Sequence, residues 1–132
     1  MSTPPTTLAS IRADFATAIK QAGFQSYAQP LSTVIPPGVV IVPGEPYLEA
    51  NTLASGGILW QANLTLIVVV AYLDNQAALR NLEDIVIKVC ANLPRGTTFD
   101  VVQQPTIEEV GPSSLLTCRI PVSIRANLTA PS

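Results

Sequence analysis

The chain has 132 residues, of which 48% are apolar and only 12% are charged, and its formal net charge is −2. A chain of this length buries about two-thirds of its extended surface on folding, so we expect a single domain with its own hydrophobic core. The sequence contains no histidine, and therefore lacks the commonest general base and the usual partner of a serine or cysteine nucleophile. We do not expect an enzyme.

The charge and cysteine patterns argue against further classes of protein. The seven basic residues stand singly along the chain, so they make no continuous positive surface for nucleic acid. Cys90 and Cys118 lie among apolar neighbours, as buried reduced thiols do, although a disulfide between them stays an alternative. Two cysteines without histidine cannot complete a structural zinc site. We expect no metal and no cofactor.

No secretion signal or membrane span is expected either. The first ten residues have neither the positive charge nor the apolar core of a signal peptide. The longest apolar run, Leu66–Leu73, is far shorter than the roughly 20 residues that a spanning helix needs. These features predict a chain that is made and kept in a reducing cytoplasm, without membrane contact.

The first predicted element is a helix. Apolar residues recur at helical spacing from Leu8 to Ala22. Thr6 or Thr7 is a candidate N-cap, and Gly23 is placed to end the helix.

Extended structure should follow this helix. Several prolines interrupt the chain as far as Pro37, which predicts an extended segment with at most short strand pairing. The β-branched run Gly38–Val42 predicts a strand. Residues 45–57 are bounded by prolines and glycines, so we expect a long hairpin loop or arm that carries Tyr47 and Leu48.

The most informative segment is Ile58–Leu73, which predicts one long strand. Its even-numbered residues are apolar throughout, whereas its odd-numbered residues begin polar and become apolar from Ile67 onwards. One face should therefore be buried along its whole length and the other only in its second half. Fully extended, the segment spans about 50 Å, so part of the hairpin is expected to project beyond the domain.

A second helix is predicted after this strand, with Asp74 or Asn75 as its cap and Pro94 and Gly96 beyond its end. Its expected buried stripe is Leu79, Leu82, Ile85, Val86, Val89, Cys90 and Leu93. Ile87 lies off that stripe and is a candidate contact with a neighbouring chain.

The last third of the chain predicts strands. Residues 99–103 and 107–110 suggest a further strand and an irregular connection. Residues 114–126 alternate between apolar and polar side chains, which predicts a half-buried strand with a wet face. Pro121 cannot donate a hydrogen bond to a ladder, so this strand should lie at an edge or bulge there.

Together these elements predict an α+β fold: an antiparallel or mixed β-sheet with a long projecting hairpin and two α-helices packed on one face. Residues 1–132 form a single domain with short flexible termini at about 1–6 and 127–132. Two helices cover only one face, which leaves an apolar sheet face for partners, and each fully buried Val or Ile there contributes roughly 1.5–3 kcal/mol.

The candidate interface residues follow from that uncovered face, from the arm and from the off-stripe helix position. Aromatic residues are included because they dominate binding hot spots. The set is Val40, Val42, Tyr47, Leu48, Trp60, Ile67, Val69 and Ile87. Arg119 and Arg125 share one strand face, roughly 20 Å apart, and are candidates for a lumen or a partner face.

This layout resembles the tail terminator, or tail-completion, proteins of long-tailed bacteriophages. The resemblance covers residues 7–126 through the order helix, strand hairpin with a long loop at Pro43–Gly57, helix at Asn75–Leu93, and two strands. It is a match of architecture and size, and no signature motif accompanies it.

The resemblance implies a structural role in the virion. Such proteins form a ring, usually hexameric, that caps the finished tail tube, stops its polymerisation and offers a docking surface to the head connector. The implied partners are other copies of this chain, the tail tube protein and the head–tail connector protein. DNA would pass through the ring without specific binding, which suits a chain with no basic patch.

Three alternatives stay open. A head-closure or connector adaptor of the phage neck would have the same class of function. A small soluble ligand-binding or enzyme domain would need a deep pocket with perturbed titratable groups. A nucleic-acid binder would need salt-sensitive affinity for DNA, which the charge pattern argues against.

Overall fold

The structure is a computed structural model that describes residues 7–28, 34–54, 57–72, 76–110 and 112–128. Two helices and six strands form the α+β fold that the sequence predicts. In chain order they are α1 (Leu8–Gln21), β1 (Gln25–Tyr27), β2 (Gly38–Ala54), β3 (Gly57–Ala71), α2 (Gln76–Asn92), β4 (Thr98–Phe99), β5 (Thr106–Val110) and β6 (Ser113–Asn127).

The six strands form one mixed sheet in the order β1-β2-β3-β6-β4, with β5 also paired to β6. The β1–β2 pair is parallel and the other pairs are antiparallel. Strand β3 is paired along almost its whole length on both sides, from Leu59 opposite Asn127 to Ala71 opposite Leu115. The predicted long strand is therefore confirmed, and it is the centre of the sheet.

Both helices pack on one face of the sheet, as predicted, and the main core lies between them and the strands. Phe15 and Ile19 of α1 and Leu82 of α2 are almost fully buried there. They meet the even-numbered residues of β3, such as Leu66, and Ile120 of β6. The strict alternation of these strands thus delivers one continuous apolar layer to the helices.

The ends of α1 match the sequence prediction. The hydroxyl of Thr7 accepts a hydrogen bond of 3.1 Å from the backbone amide of Ser10, which makes Thr7 the N-cap. Gly23 has a φ of 99°, and the amide of Phe24 beyond it donates to the carbonyl of Ile19. A glycine is favoured at this position because its left-handed conformation costs side-chain-bearing residues free energy.

Of the two alternatives predicted for residues 45–57, a long hairpin loop or an arm, strand β2 favours the arm as far as Ala54. The chain continues as strand to Ala54 and pairs again with β3 from Leu48 onwards, after a bulge between Pro43 and Leu48. Among the described residues, only Gly38–Val40 have a strand on their outer side. Prolines are tolerated here because the outer edge of the strand needs no amide donor. Ser55 and Gly56 lie outside the described residues.

Strand β6 matches its predicted bounds, but it is not an edge strand. It lies between β3 on one side and β4 and β5 on the other. Pro121 falls between the short pairings that β5 and β4 make, and its carbonyl accepts a hydrogen bond from the amide of Asp100. Because the nitrogen and carbonyl of one strand residue point to the same side, the missing N–H of Pro121 faces this gap.

Helix α2 agrees with the prediction apart from one side of its stripe. Its buried residues are Ala78, Leu82, Ile85 and Val89. Leu79, which was expected on the buried stripe, is exposed instead. Asp74 and Asn75, the two candidate caps, lie outside the described residues.

The chain end is more ordered than predicted. Asn127 was expected to begin a flexible terminus, yet it belongs to β6 and stands opposite Leu59 in the sheet. Leu128 packs against the main core. Residues 1–6 and 129–132 lie outside the described part of the chain.

Candidate self-association surface

The face of the sheet away from the helices was predicted to be an uncovered interface. The structure shows that its apolar residues are covered within the chain. Val40, Ile67 and Val69 are only 1%, 6% and 0% exposed in the isolated chain. They belong to a second hydrophobic cluster on the face away from the helices. Their burial is already complete within one molecule, so they cannot serve as contacts with a neighbouring copy.

Residues distant in sequence close this second face. Val34, just before β2, and Leu115 of β6 are buried in the cluster, and Tyr27, Val42 and Val110 pack against it. The ring of Tyr27 lies so close to Gly38 that a Cβ there would be 2.8 Å from Tyr27 Cε2. Val42, another predicted interface residue, is half-buried by the same packing.

A polar network continues the second face beyond this cluster. The buried hydroxyl of Thr117 donates to Glu108 Oε1 at 3.1 Å and lies 3.0 Å from the hydroxyl of Thr106. Arg119 Nη1 lies 2.9 Å from the same Glu108 oxygen. Thr117 is therefore not on a wet face as predicted, and Glu108 balances the charge of Arg119 within the chain. The pair is partly exposed, so its contribution to stability is small.

The distal half of the second face is polar, as the sequence predicts. Glu49 Oε2 accepts hydrogen bonds from the side-chain amides of Gln61, at 3.2 Å, and Asn63, at 2.9 Å. Asn63 also donates to the carbonyl of Pro46 at 2.8 Å. Arg125 stands opposite Gln61 in the sheet and is exposed. This part of the sheet offers a hydrated surface with one cationic side chain.

The predicted arm residues contact the domain itself. The hydroxyl of Tyr47 accepts a hydrogen bond of 3.1 Å from Arg12 of α1. Tyr47 and Leu48 are half-buried and pack against the main core. Trp60 is also half-buried, opposite Ala126 of β6. These three side chains keep some exposed surface, but each already has a role within the fold.

Further exposed apolar side chains lie on α2 and on the segment from β4 to β5. Six large apolar side chains from α2 and from the segment of β4, β5 and their connection are between 42% and 76% exposed. We call this set the apolar flank; its members are Leu79, Ile87, Phe99, Val101, Val102 and Ile107. Their combined exposed surface is about 300 Å², from roughly 100 Å² for each fully exposed side chain.

That summed area is comparable with the largest apolar patch on an ordinary monomer. The largest apolar patch on a typical monomer is itself about 300–600 Å² and is often functional. One side of a standard protein interface buries about 800 Å², of which somewhat more than half is non-polar. Summed over its six side chains, the apolar flank therefore supplies about two-thirds of the apolar content of one side of such an interface.

A groove runs through the apolar flank between α2 and the segment that precedes β5. We call it the α2 groove; it encloses about 410 Å³. One wall is formed by Leu79, Val86 and Ile87, the other by Val102 and Pro105. A neighbouring depression on the same flank shares Leu79 and Pro105 and reaches Ile107. The two depressions therefore adjoin each other beside α2.

The two cysteines lie near this groove and are free, as the sequence predicts. Cys118 is buried at the groove floor, and its thiol donates to the carbonyl of Gln103 at 3.3 Å. Burial raises the pKa of both thiols, and the neighbouring Cys118 raises that of Cys90 further. Both thiols are therefore protonated near neutral pH, and protonated thiols are poor nucleophiles.

Sequence reasoning identified one residue of this groove and missed the rest. Ile87 was singled out because it lies off the buried stripe of α2, and it is exposed on the flank. Leu79 was missed because it shares the stripe with buried residues. Val102 was placed in a possible strand, and only the position of that segment beside α2 makes it part of a groove.

Two further observations apply to the described residues. No group of three or more carboxylate or thiol side chains comes together in a way that could hold a metal ion. None of the described helices has the length and apolar character needed to cross a membrane.

No family model and no curated protein matches this chain. Among solved structures, the type 4 fimbrial biogenesis protein PilO from Pseudomonas aeruginosa is similar over 92% of this chain and 70% of its own. The sequence identity is 16% and the TM-score is 0.37. A TM-score this low does not establish a common fold.

Proposed function

We propose that this chain is a structural virion protein that forms a ring, usually hexameric, on the tail tube of a long-tailed bacteriophage. The ring would cap the finished tube, stop its polymerisation and present a surface to the head connector. Its role would be recognition, without catalysis. The order of elements that resembles tail terminators is retained in the fold, with β2 and β3 as a hairpin of 17 and 15 residues.

The observation that carries the proposal is the apolar flank beside α2. Its exposed side chains Leu79, Ile87 and Val102 stand around one groove, and exposed apolar patches of this kind often mark interaction sites. In the proposed ring this patch would pair with a different patch on the next copy, and such head-to-tail contacts close into a ring when the rotation between copies allows.

The location of the ring contact differs from the one the sequence suggests. Because Val40, Ile67 and Val69 are buried within the chain, they are not proposed as contacts. Ile87 remains a proposed contact, and Leu79 and Val102 join it. Removal of exposed apolar side chains from water is favourable, so their burial between two copies favours assembly.

The polar half of the second sheet face is a proposed lumen surface. Arg125 is exposed there, whereas Arg119 is paired with Glu108. A surface with few unpaired cations suits a channel through which DNA must slide, since each additional phosphate contact adds salt-dependent affinity.

Light scattering coupled to size exclusion tests the self-association. A ring predicts a single species of several subunits, and negative-stain microscopy should show annular particles. Incubation with polymerising tail tube protein tests the cap: a terminator should bind one end of each tube and stop its growth. A chain that stays monomeric at high concentration and leaves tube length unchanged would contradict the proposal.

A further inference from the structure

One exposed apolar residue stands apart from the apolar flank. Ile35 is 75% exposed and lies three residues before β2. It is held from both sides, because Val34 before it is buried in the second cluster, and Pro36 and Pro37 after it lie beside Phe24 and Ile85. We call Ile35 with the two prolines the proline knob. A large apolar side chain held outward on a proline support is suited to insertion into a groove.

The proline knob and the α2 groove lie on opposite sides of α2. Pro36 and Pro37 lie beside the side of α2 that carries Asn81, Asp84 and Lys88. The groove wall is the side that carries Leu79, Val86 and Ile87. At about 100° per residue these two sets point in nearly opposite directions from the helix axis. A helix about 10 Å wide therefore separates knob and groove within one molecule.

This placement has the geometry that a head-to-tail contact requires. Because the proline knob and the α2 groove lie on opposite sides of α2, the knob of one molecule cannot fill that molecule's own groove. The knob of one copy can instead enter the groove of the next, a contact that repeats around a ring.

The charge pattern fits the same pairing. From Gln21 to Gly44, the stretch that contains the knob, the sequence has no charged residue. The groove walls at Leu79, Ile87 and Val102 are apolar, with Glu83 as the charged residue that lines the groove. Insertion of Ile35 into the groove therefore does not require the removal of water from a charged side chain on the knob. The groove also has the room, because sites for small ligands begin at about 300 Å³.

We infer that Ile35 of one copy of this chain inserts into the α2 groove of the next copy, between Ile87 and Val102. This inference rests on the self-association in the proposed function and names the two surfaces that make it. It does not depend on what the ring caps.

Two charge variants test the inference because each destroys one side of the contact. Ile35→Glu removes the knob and leaves the groove, and Ile87→Glu does the reverse. Each variant alone should be monomeric at concentrations where the unchanged chain forms rings. Mixed in equal amounts, the two variants retain one intact knob and one intact groove, so the mixture should form a one-to-one dimer and grow no further.

Ala13→Glu is the matched control, since it adds the same charge at an exposed position on α1. It should assemble like the unchanged chain. All three variants should keep the far-ultraviolet circular dichroism and melting temperature of the unchanged chain, because the altered residues are exposed. Light scattering with analytical ultracentrifugation measures the species in each sample.

The outcomes separate this inference from the proposed function. Rings from Ile35→Glu or Ile87→Glu alone, or a mixture that stays monomeric while the unchanged chain assembles, overturn the inference and leave the ring proposal standing. Assembly through knob and groove without an effect on tail tubes supports the inference and removes the tail terminator proposal. A strictly monomeric unchanged chain contradicts both.

Discussion

The Arg12 guanidinium donates a hydrogen bond of 3.1 Å to the Tyr47 hydroxyl. It links α1 to the bulge of β2 between Pro43 and Leu48, 35 residues further along the chain. Tyr47 also packs against the main core with Leu48. The contact therefore anchors the hairpin to the domain instead of leaving it as a free arm.

Tyr47→Phe should lower the free energy of unfolding by about 0.5 kcal/mol, because it removes an exposed hydrogen bond but keeps the ring. Tyr47→Ala should cost more, since it also removes core packing. Urea denaturation measures both, and Arg12→Met completes a double-mutant cycle with Tyr47→Phe. A coupling energy near zero in that cycle would show that the hydrogen bond does not stabilise the chain.

Ile67→Ala and Ile87→Ala should differ sharply in their effect on the stability of the monomer. Ile67 is buried in the second cluster, so its truncation should cost about 2–4 kcal/mol. Ile87 is exposed, and its truncation should cost less than about 0.5 kcal/mol while weakening assembly. Denaturation of each variant at a concentration too low for assembly measures the first effect, and light scattering measures the second. Equal costs would contradict the assignment of Ile67 to the core.

The parts of the fold that the sequence predicted are those with a local signal. In helix α1 the N-cap residue, the apolar residues at helical spacing and the terminal glycine all lie within one stretch of sequence. In β3 and β6 the alternation of apolar and polar residues indicates which side chains face the helices. These patterns depend on the geometry of single elements. Their bounds were therefore correct within one or two residues.

The errors arose where distant segments decide burial. Val69 looked uncovered because nothing in its own strand shows that Val34 and Leu115 come to lie beside it. The prolines at 43 and 46 suggested a loop, but Pro43 still pairs with Leu64, and Pro46 lies in the short irregular stretch before pairing resumes at Leu48. The α2 groove was not predicted because it forms between segments that are distant in sequence, where Pro105 lies next to α2.

Gly44→Ala should destabilise the hairpin. A Cβ at this position would lie 2.9 Å from the backbone carbon and oxygen of Asn63, which cannot move without disturbing β3. The expected cost is about 1–3 kcal/mol, as for other forced contacts in well-packed regions. Ala50→Ser, at an exposed position of the same strand, is the control and should be nearly neutral. Urea denaturation compares the two variants, and a neutral Gly44→Ala would show that the bulge has space that the structure does not suggest.

The two thiols predict how stability changes at alkaline pH. Burial raises the pKa of Cys118 and of Cys90 above the ordinary value of 9.0, and the proximity of Cys118 raises that of Cys90 further. The folded state therefore holds its thiol protons more tightly than the unfolded state. The resulting stabilisation is fully present below pH 9 and is lost as the pH rises through the folded pKa values, because the unfolded chain releases those protons first.

Urea denaturation from about pH 7 to about pH 10, in the presence of a reductant, measures this loss. A chain without the thiols serves as the reference, because any loss of stability that the thiols do not cause is common to both chains. In Cys90→Ser with Cys118→Ala the free energy of unfolding should be lower at neutral pH, because a core side chain is truncated, but should fall less steeply above pH 9. Parallel curves for the two chains would mean that neither thiol is protected by the fold, and Cys118 would then have to lie in a wetter site than the floor of the α2 groove.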